Sequence, residues 1–421
     1  MALIERVLVL DENESNVLFF EMLLQQMPKE FKVFTSSTGA QGEVIVKDQK
    51  IQFVICAWEM NAMSGTVFTQ RIRNNRSKKY IPVLIFSKRM QDEDITLTKE
   101  LGFEDILGMP FDKEKATEMI MKIVDFEENL APEEKKLRKI EALVQDNQVT
   151  EALKHMDGSL TKKEEYRNRA KSNLAEIWIQ TRHLDKALKS LDEILAEDPD
   201  HVPALRQKAR VFSMQGNHAG AIEILEKMTE KSPKNIKSML CLGSAYVDAD
   251  EHDKAREVFS KVEGMDGENT DLKDEQGKLA FKEGDIPLAA QLLAETQCGD
   301  ELARHFNNMA IAKVTGGEHD DAIQTYNSAI QLLTDKAKLH QLHYNLGLAW
   351  KKKGDLQQSF QFLCESYVSE PGFEKAYAAL AKISQEIKSS GDKPDPEWVN
   401  KVKDARKTYR DSQEEAQDQA S

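Results

Sequence analysis

The chain has 421 residues, with 58 Lys and Arg against 72 Asp and Glu, and its formal net charge of −14 argues against general nucleic-acid binding. No apolar run approaches the roughly 20 residues that a membrane helix needs. The length is enough for two or three domains with sizeable cores.

The N-terminus, MALIERVLVLDENE, carries a short apolar run bracketed by acids. It lacks a basic leader and a small-residue cleavage site, so it reads as a first strand and not as a signal peptide. Further buried-strand runs follow around 32–37, at FVICA (53–57), at PVLIFS (82–87) and, weakly, at DILG (105–108). Helical patterns fill the gaps, and the last runs from about 112 to 128. Strands alternating with helices at this pitch predict a parallel sheet covered on both faces, an α/β doubly wound domain over 1–128.

After about 129 the strand signal stops. A charged stretch over 129–135 reads as a linker, although Pro132 followed by Glu133 and Glu134 is also a helix start. Short amphipathic helices then repeat over 136–390. A small residue recurs at Ala152, Ala187, Ala221, Ala255, Ala289, Ala322 and Ser359, in steps of 33 to 37. Four residues after most of them stands a large apolar side chain, such as Leu191, Phe259 or Leu363. Twelve residues before most of them stands another small one, such as Ala175, Gly243 or Gly347. Small residues belong where helix axes approach closely, and large ones fill the adjoining holes. Gly216, Gly284, Gly317 and Gly354 mark turns between paired helices, where a left-handed residue is needed. The result predicted is an all-α superhelix of about seven hairpins, each burying its apolar face only against its neighbours. Residues 391–421 read as a capping helix with a polar tail, RDSQEEAQDQAS, expected to be disordered.

The repeat register resembles the tetratricopeptide family, a solenoid that binds proteins. The unit around Ala152 is degenerate, and Ala280 and Lys313 replace the aromatic usual in two others. In peptide-binding members an Asn two residues before the small residue of the first helix clamps a peptide backbone. Asn173, Asn308 and Asn345 stand there. Two sub-grooves follow: Arg169, Asn173, Arg206, Arg210 and Lys237 in one, and Arg304, Asn307, Asn308, Tyr344, Asn345, Lys351 and Lys352 in the other. Either suits a partner segment of acidic character.

The N-terminal third resembles the receiver domain of bacterial two-component response regulators. The motifs are VLVLDENESN, FVICAWEMNAMSG, IPVLIFS and GFEDILGMPF. The resemblance implies an aspartate nucleophile at the end of the third strand, Mg2+ held by an acidic pair, a lysine after the fifth strand, a hydroxyl ending the fourth strand and a switch aromatic. The sequence keeps Asp11, Glu12 and Ser87, but has Ala57 for the acceptor, Met109 for the lysine and Ile106 for the aromatic. A degenerate phosphorylation site, a pseudo-receiver, is the expectation. Glu59, two residues beyond Ala57, is expected to point its side chain elsewhere. No cofactor is expected, and Asp11 and Glu12 would hold Mg2+ weakly at most.

The remaining features read as structural. Arg71, Arg73, Arg76, Lys78 and Lys79 are expected in a solvated loop, and the His340–His343 pair as a surface coincidence and no metal site. Cys56, Cys241, Cys298 and Cys364 are scattered without disulfide or metal spacing, which points to the cytoplasm. There is no catalytic constellation. The chain is expected to be a non-enzymatic adaptor in bacterial two-component signalling. It would bind proteins, such as a histidine kinase or another response regulator, through the repeat groove and the receiver-like surface; a homodimer is compatible. The alternative is a peptide- or ligand-sensing repeat protein with the receiver fold as output.

Overall fold

The computed structural model describes residues 4–61, 63–75, 77–103, 106–293, 298–332 and 339–420. The chain divides into two compact units, Met1–Asn269 and Thr270–Ser421.

The first unit opens with five strands, β1 (Arg6–Leu10), β2 (Lys32–Ser36), β3 (Phe53–Ala57), β4 (Val83–Ser87) and β5 (Ile106–Gly108), all paired in parallel in the order β2-β1-β3-β4-β5. Five helices connect and follow them: α1 (Glu14–Gln25), α2 (Gly39–Asp48), α3 (Gly65–Asn74), α4 (Asp92–Glu100) and α5 (Lys113–Glu128). Alternate strand residues serve opposite faces. Val7, Val9, Phe53, Ile55, Leu84 and Phe86 meet Phe20 and Leu24 of α1 and Ile120 and Val124 of α5. Leu8, Leu10, Val54, Cys56 and Ile85 meet Val46, Phe68, Ile72 and Leu97 from α2, α3 and α4. Asn13, Thr38, Ser64 and Asp112 cap their helices by accepting from backbone N–H groups in the first turn, which fixes where the chain leaves each strand. The α/β doubly wound domain is as expected. Asp105, included in the expected fifth strand, lies outside the described residues.

Helices continue almost without pause. The expected linker at 129–135 is shorter, because α6 (Pro132–Gln145) begins with Pro132 in its first turn. The first hairpin is α6 with the short α7 (Val149–His155), followed by the single-turn α8 (Gly158–Lys162). Then come α9 (Glu164–Gln180) with α10 (Leu184–Glu197), α11 (Val202–Met214) with α12 (His218–Lys231), and α13 (Ile236–Asp248) with α14 (His252–Asp266).

The second unit continues the pattern with α15 (Thr270–Lys282) and α16 (Ile286–Leu293), α17 (Cys298–Gly316) and α18 (His319–Leu332), and α19 (Leu339–Lys353) and α20 (Leu356–Ser369). It ends with α21 (Glu374–Ser389) and α22 (Pro396–Ala420). The small–large rule has a direct geometric basis. A Cβ added to Gly243 would lie 2.2 Å from the Phe259 ring, and one added to Gly277 or Gly347 would collide with Leu293 or Leu363. The four glycine turns all have positive φ, from 77° at Gly216 to 99° at Gly354. Asn147, Arg182 and Asp250 hold the same left-handed turn in the first unit without glycine.

The C-terminal tail departs from expectation. Residues expected to be disordered continue α22 to Ala420. The segment contains no Pro or Gly, and its Glu, Gln and Ala residues favour helix.

Candidate functional site

A parallel sheet gathers the C-terminal ends of its strands at one edge, where ligands of such folds bind. Asp11 and Glu12 follow β1, Ala57 ends β3, Ser87 ends β4 and Met109 follows β5. Met109 donates its N–H to the Ser87 carbonyl, and the Met109–Pro110 peptide is cis. Ile106 begins β5 and packs with the α2–α4 core. The sequence-derived site residues other than Ile106 are therefore placed along one edge.

The polar residues among them have partners within the domain. Asp11 is buried, and its carboxylate accepts from Asn13 N at 3.0 Å and from Asn16 Nδ2 at 2.6 Å. Glu12 accepts from the backbone N and side-chain amide of Asn61. Ala57 supplies no third carboxylate. A hard divalent cation needs several oxygens converging on one point, and here Asp11 and Glu12 accept from amides of Asn13, Asn16 and Asn61. Burial, then the charge of Asp11, push the thiol pKa of Cys56 beside Ala57 far up, and Sγ donates to the Ala57 carbonyl.

One expectation for this edge is overturned. Glu59 does not point away: its Oε1 accepts from Ser87 Oγ at 2.6 Å. The strand ends at Ala57, and Glu59 two residues beyond reaches the hydroxyl that ends β4, which strand alternation alone does not reveal. Gly65 is required there, because a Cβ would stand 1.9 Å from the Ala57 carbonyl oxygen.

A second polar edge, formed by α3, α4 and the chain between α3 and β4, lies against the repeats within the first unit. Gln70 is 3% exposed; its amide donates to the Lys234 carbonyl at 3.0 Å and accepts from Ile236 N at 2.8 Å. Arg71 bonds both oxygens of Asp266, whose side chain is 1% exposed, and also reaches Glu43 at 3.0 Å. On α4, Asp94 pairs with Lys234 at 2.7 Å and Glu100 accepts from Asn235 Nδ2 at 2.6 Å. Tyr80 donates its hydroxyl to Glu141, and the Arg138 guanidinium lies 4.8 Å over its ring. Arg138 in turn forks onto Glu127 of α5 with bonds of 2.8 and 2.9 Å, bridging the short junction.

The expected solvated loop is therefore an interface. Arg73 is enclosed as well, donating to the carbonyls of Leu101, Lys79 and Ile81, and burial lowers its pKa to about 10. Lys79 lies 3.6 Å from Glu141. Arg76 lies outside the described residues. Burial pushes the Glu141 carboxyl pKa up, but Arg169, with Tyr80 and Lys79, outweighs it and holds it below its ordinary value.

The two expected grooves fare differently. In the first unit Arg169 pairs with Glu134 at 2.7 Å and Glu141 at 2.9 Å, and Arg210 with Glu176 at 2.8 Å. Asn173 donates to the Arg169 carbonyl. Arg206 is half-buried; desolvation lowers its pKa, and the charges of Cys241 and of Glu100 on α4 oppose that. Arg169 and Arg210 are thus neutralised from within. In the second unit Asn345 donates to Asn307 at 2.9 Å, not to Asn308, which is exposed. Tyr344 packs edge-on against Phe373, and Lys351 pairs with Glu386, whereas Arg304 and Lys352 are exposed. No group of three or more His, Cys, Asp or Glu residues suited to a metal ion occurs among the described residues. No helix among them is long and apolar enough to cross a membrane.

Comparison with known proteins agrees with this architecture. The response regulator receiver domain profile matches residues 7–121, and two tetratricopeptide repeat profiles match 179–236 and 213–279. The probable chemotaxis protein CheY of Rhizobium etli is 30% identical over 111 residues, covering 26% of this chain and 84% of that protein. The BBSome complex member BBS4 of Bos taurus is 24% identical over 219 residues, 52% of this chain, and the chain spans only 41% of its length. Among solved structures, chemotaxis response regulator CheY4 of Vibrio cholerae is 21% identical with a TM-score of 0.27, covering 28% of this chain and 98% of that one. The APC/C hetero-tetramer Cut9-Hcn1 is 18% identical with a TM-score of 0.40, covering 64% of this chain and 52% of that one. This chain belongs to the response regulator receiver family, with tetratricopeptide repeats following its receiver domain.

Proposed function

We propose that this protein is a signalling adaptor whose receiver domain works without phosphoryl transfer and whose repeats bind partner proteins. The observation that carries the reading is Ala57 at the end of β3, in the register where the family's nucleophile stands. A methyl group cannot accept a phosphoryl group. Met109 in place of the lysine removes the cation that would pair with it, and Ile106 removes the aromatic that would respond. The acids left at the edge are occupied by Asn13, Asn16 and Asn61, so no metal-assisted step is part of the reading. Ala57→Asp alone would restore no switch, because the other two losses remain.

Partner binding is assigned to the second unit. Arg169 and Arg210 of the first groove are paired internally, and its neighbouring hairpins hold the receiver domain. Asn308 and the mutually bonded Asn307–Asn345 pair present amide groups, with the exposed Lys352 on the same helix as Asn345. That chemistry suits an acidic peptide segment or tail of a cytoplasmic signalling protein.

The test of the reading is intact mass after incubation with a small acyl phosphate and Mg2+. The expected result is no added phosphoryl group. A donor-dependent, base-labile adduct within residues 1–128 would contradict it.

A further inference from the structure

The vestigial edge and the docked edge are joined by a line of hydrogen bonds. Glu59 Oε1 accepts from Ser87 Oγ at 2.6 Å, and the same Oγ accepts from Arg89 N at 3.1 Å. Two residues later Gln91 N donates to Asp94 Oδ2 at 3.2 Å, closing a capping box at the start of α4. The other oxygen of that carboxylate, Oδ1, accepts from Lys234 Nζ at 2.7 Å, and Lys234 belongs to the repeats. At the far end of α4, Glu100 holds Asn235. Ser87 and Asp94 are 3% and 5% exposed, so water competes poorly at both fixed points of the line.

The Ser87 hydroxyl at the end of β4 donates to an anionic acceptor, the Glu59 carboxylate. A carboxylate and a phosphoryl oxygen are alike in this respect: both are charged acceptors of short O–H···O bonds. We infer that Glu59 is a built-in anionic partner for Ser87, and that through the chain between β4 and α4 it fixes how firmly α4 is seated on Lys234 and Asn235. The receiver domain thus keeps one setting permanently, supplied by its own sequence. Glu59 acts as a positioning residue, on the array and through Ser87. This rests on the reading above only in taking a side chain, rather than a phosphoryl group, as the acceptor. It is read by amide exchange, whereas that reading is tested by mass.

The experiment is amide hydrogen exchange on the full chain, comparing wild type with Glu59→Ala, Ser87→Ala and the double variant. Glu59 is exposed and its loss leaves the core untouched; thermal melting by circular dichroism checks that each variant stays folded. Glu59→Ala is expected to speed exchange about fivefold in Asp92–Glu100 and in 234–238, the size of one net hydrogen bond, and Ser87→Ala, which also removes the acceptor of Arg89 N, at least as much. The double variant should exchange no faster than Ser87→Ala alone, because the hydroxyl is the link through which Glu59 acts. Unchanged exchange in either segment on Glu59→Ala would overturn the inference. So would effects of the two substitutions that multiply.

Discussion

The receiver domain has two polar edges, and they are built on different terms. At the strand ends, Asp11 and Glu12 are held by Asn13, Asn16 and Asn61, and Ser87 by Glu59, all within the domain. Along α3 and α4, Gln70, Arg71, Asp94 and Glu100 reach residues 135 to 195 positions away in the repeats. The first edge is where the family does its chemistry, and here Ala57 ends β3. The second has become part of the architecture. The difference teaches that the two edges answer to different constraints: the first is held from within the domain, and the second is tied to the repeats.

If that comparison holds, substitutions at the second edge cost far more than at the first. Arg71→Ala would strip the buried Asp266 of its charged partner and lower the stability of the first unit by about 3–5 kcal/mol, read by urea unfolding. Gln70→Ala should cost about 2 kcal/mol in the same assay, since the Ile236 N–H and Lys234 carbonyl lose their partner. Little change from Arg71→Ala would mean that the edge is solvated after all.

Acid should find the same edge. The Glu141 carboxyl is held below its ordinary value, so its contribution is present above about pH 4.3 and is lost as pH falls through its lower folded pKa. Glu141→Gln should therefore flatten the fall in stability below that pH. An unaltered acid limb would remove Glu141 from the interface. At the strand ends, by contrast, Met109→Lys should shift stability by no more than about 1 kcal/mol, because the long stem of lysine can follow the path of methionine.

Much of this was legible in the sequence, and the illegible part has a physical pattern. The apolar strand runs and the step near 34 residues report local geometry, so the sheet and the hairpins could be read directly. Ala57 and Met109 were readable because a strand end fixes their register. Glu59 was misjudged because its direction depends on a turn and on a glycine eight residues from Ala57. Arg71 and Lys79 were misjudged because their partners are remote in the chain, and a cation before a turn looks the same whether it faces water or a buried aspartate. The Asn307–Asn345 bond was missed by one residue, because the repeat register alone pairs Asn345 with Asn308, 37 positions before it.

The central claim is that the docked edge is set without phosphoryl transfer. Amide exchange of Asp92–Glu100 and 234–238 in the wild-type chain, with and without a small acyl phosphate and Mg2+, tests it most directly. The account predicts superimposable exchange curves in both segments. A donor-dependent change in either one would contradict it.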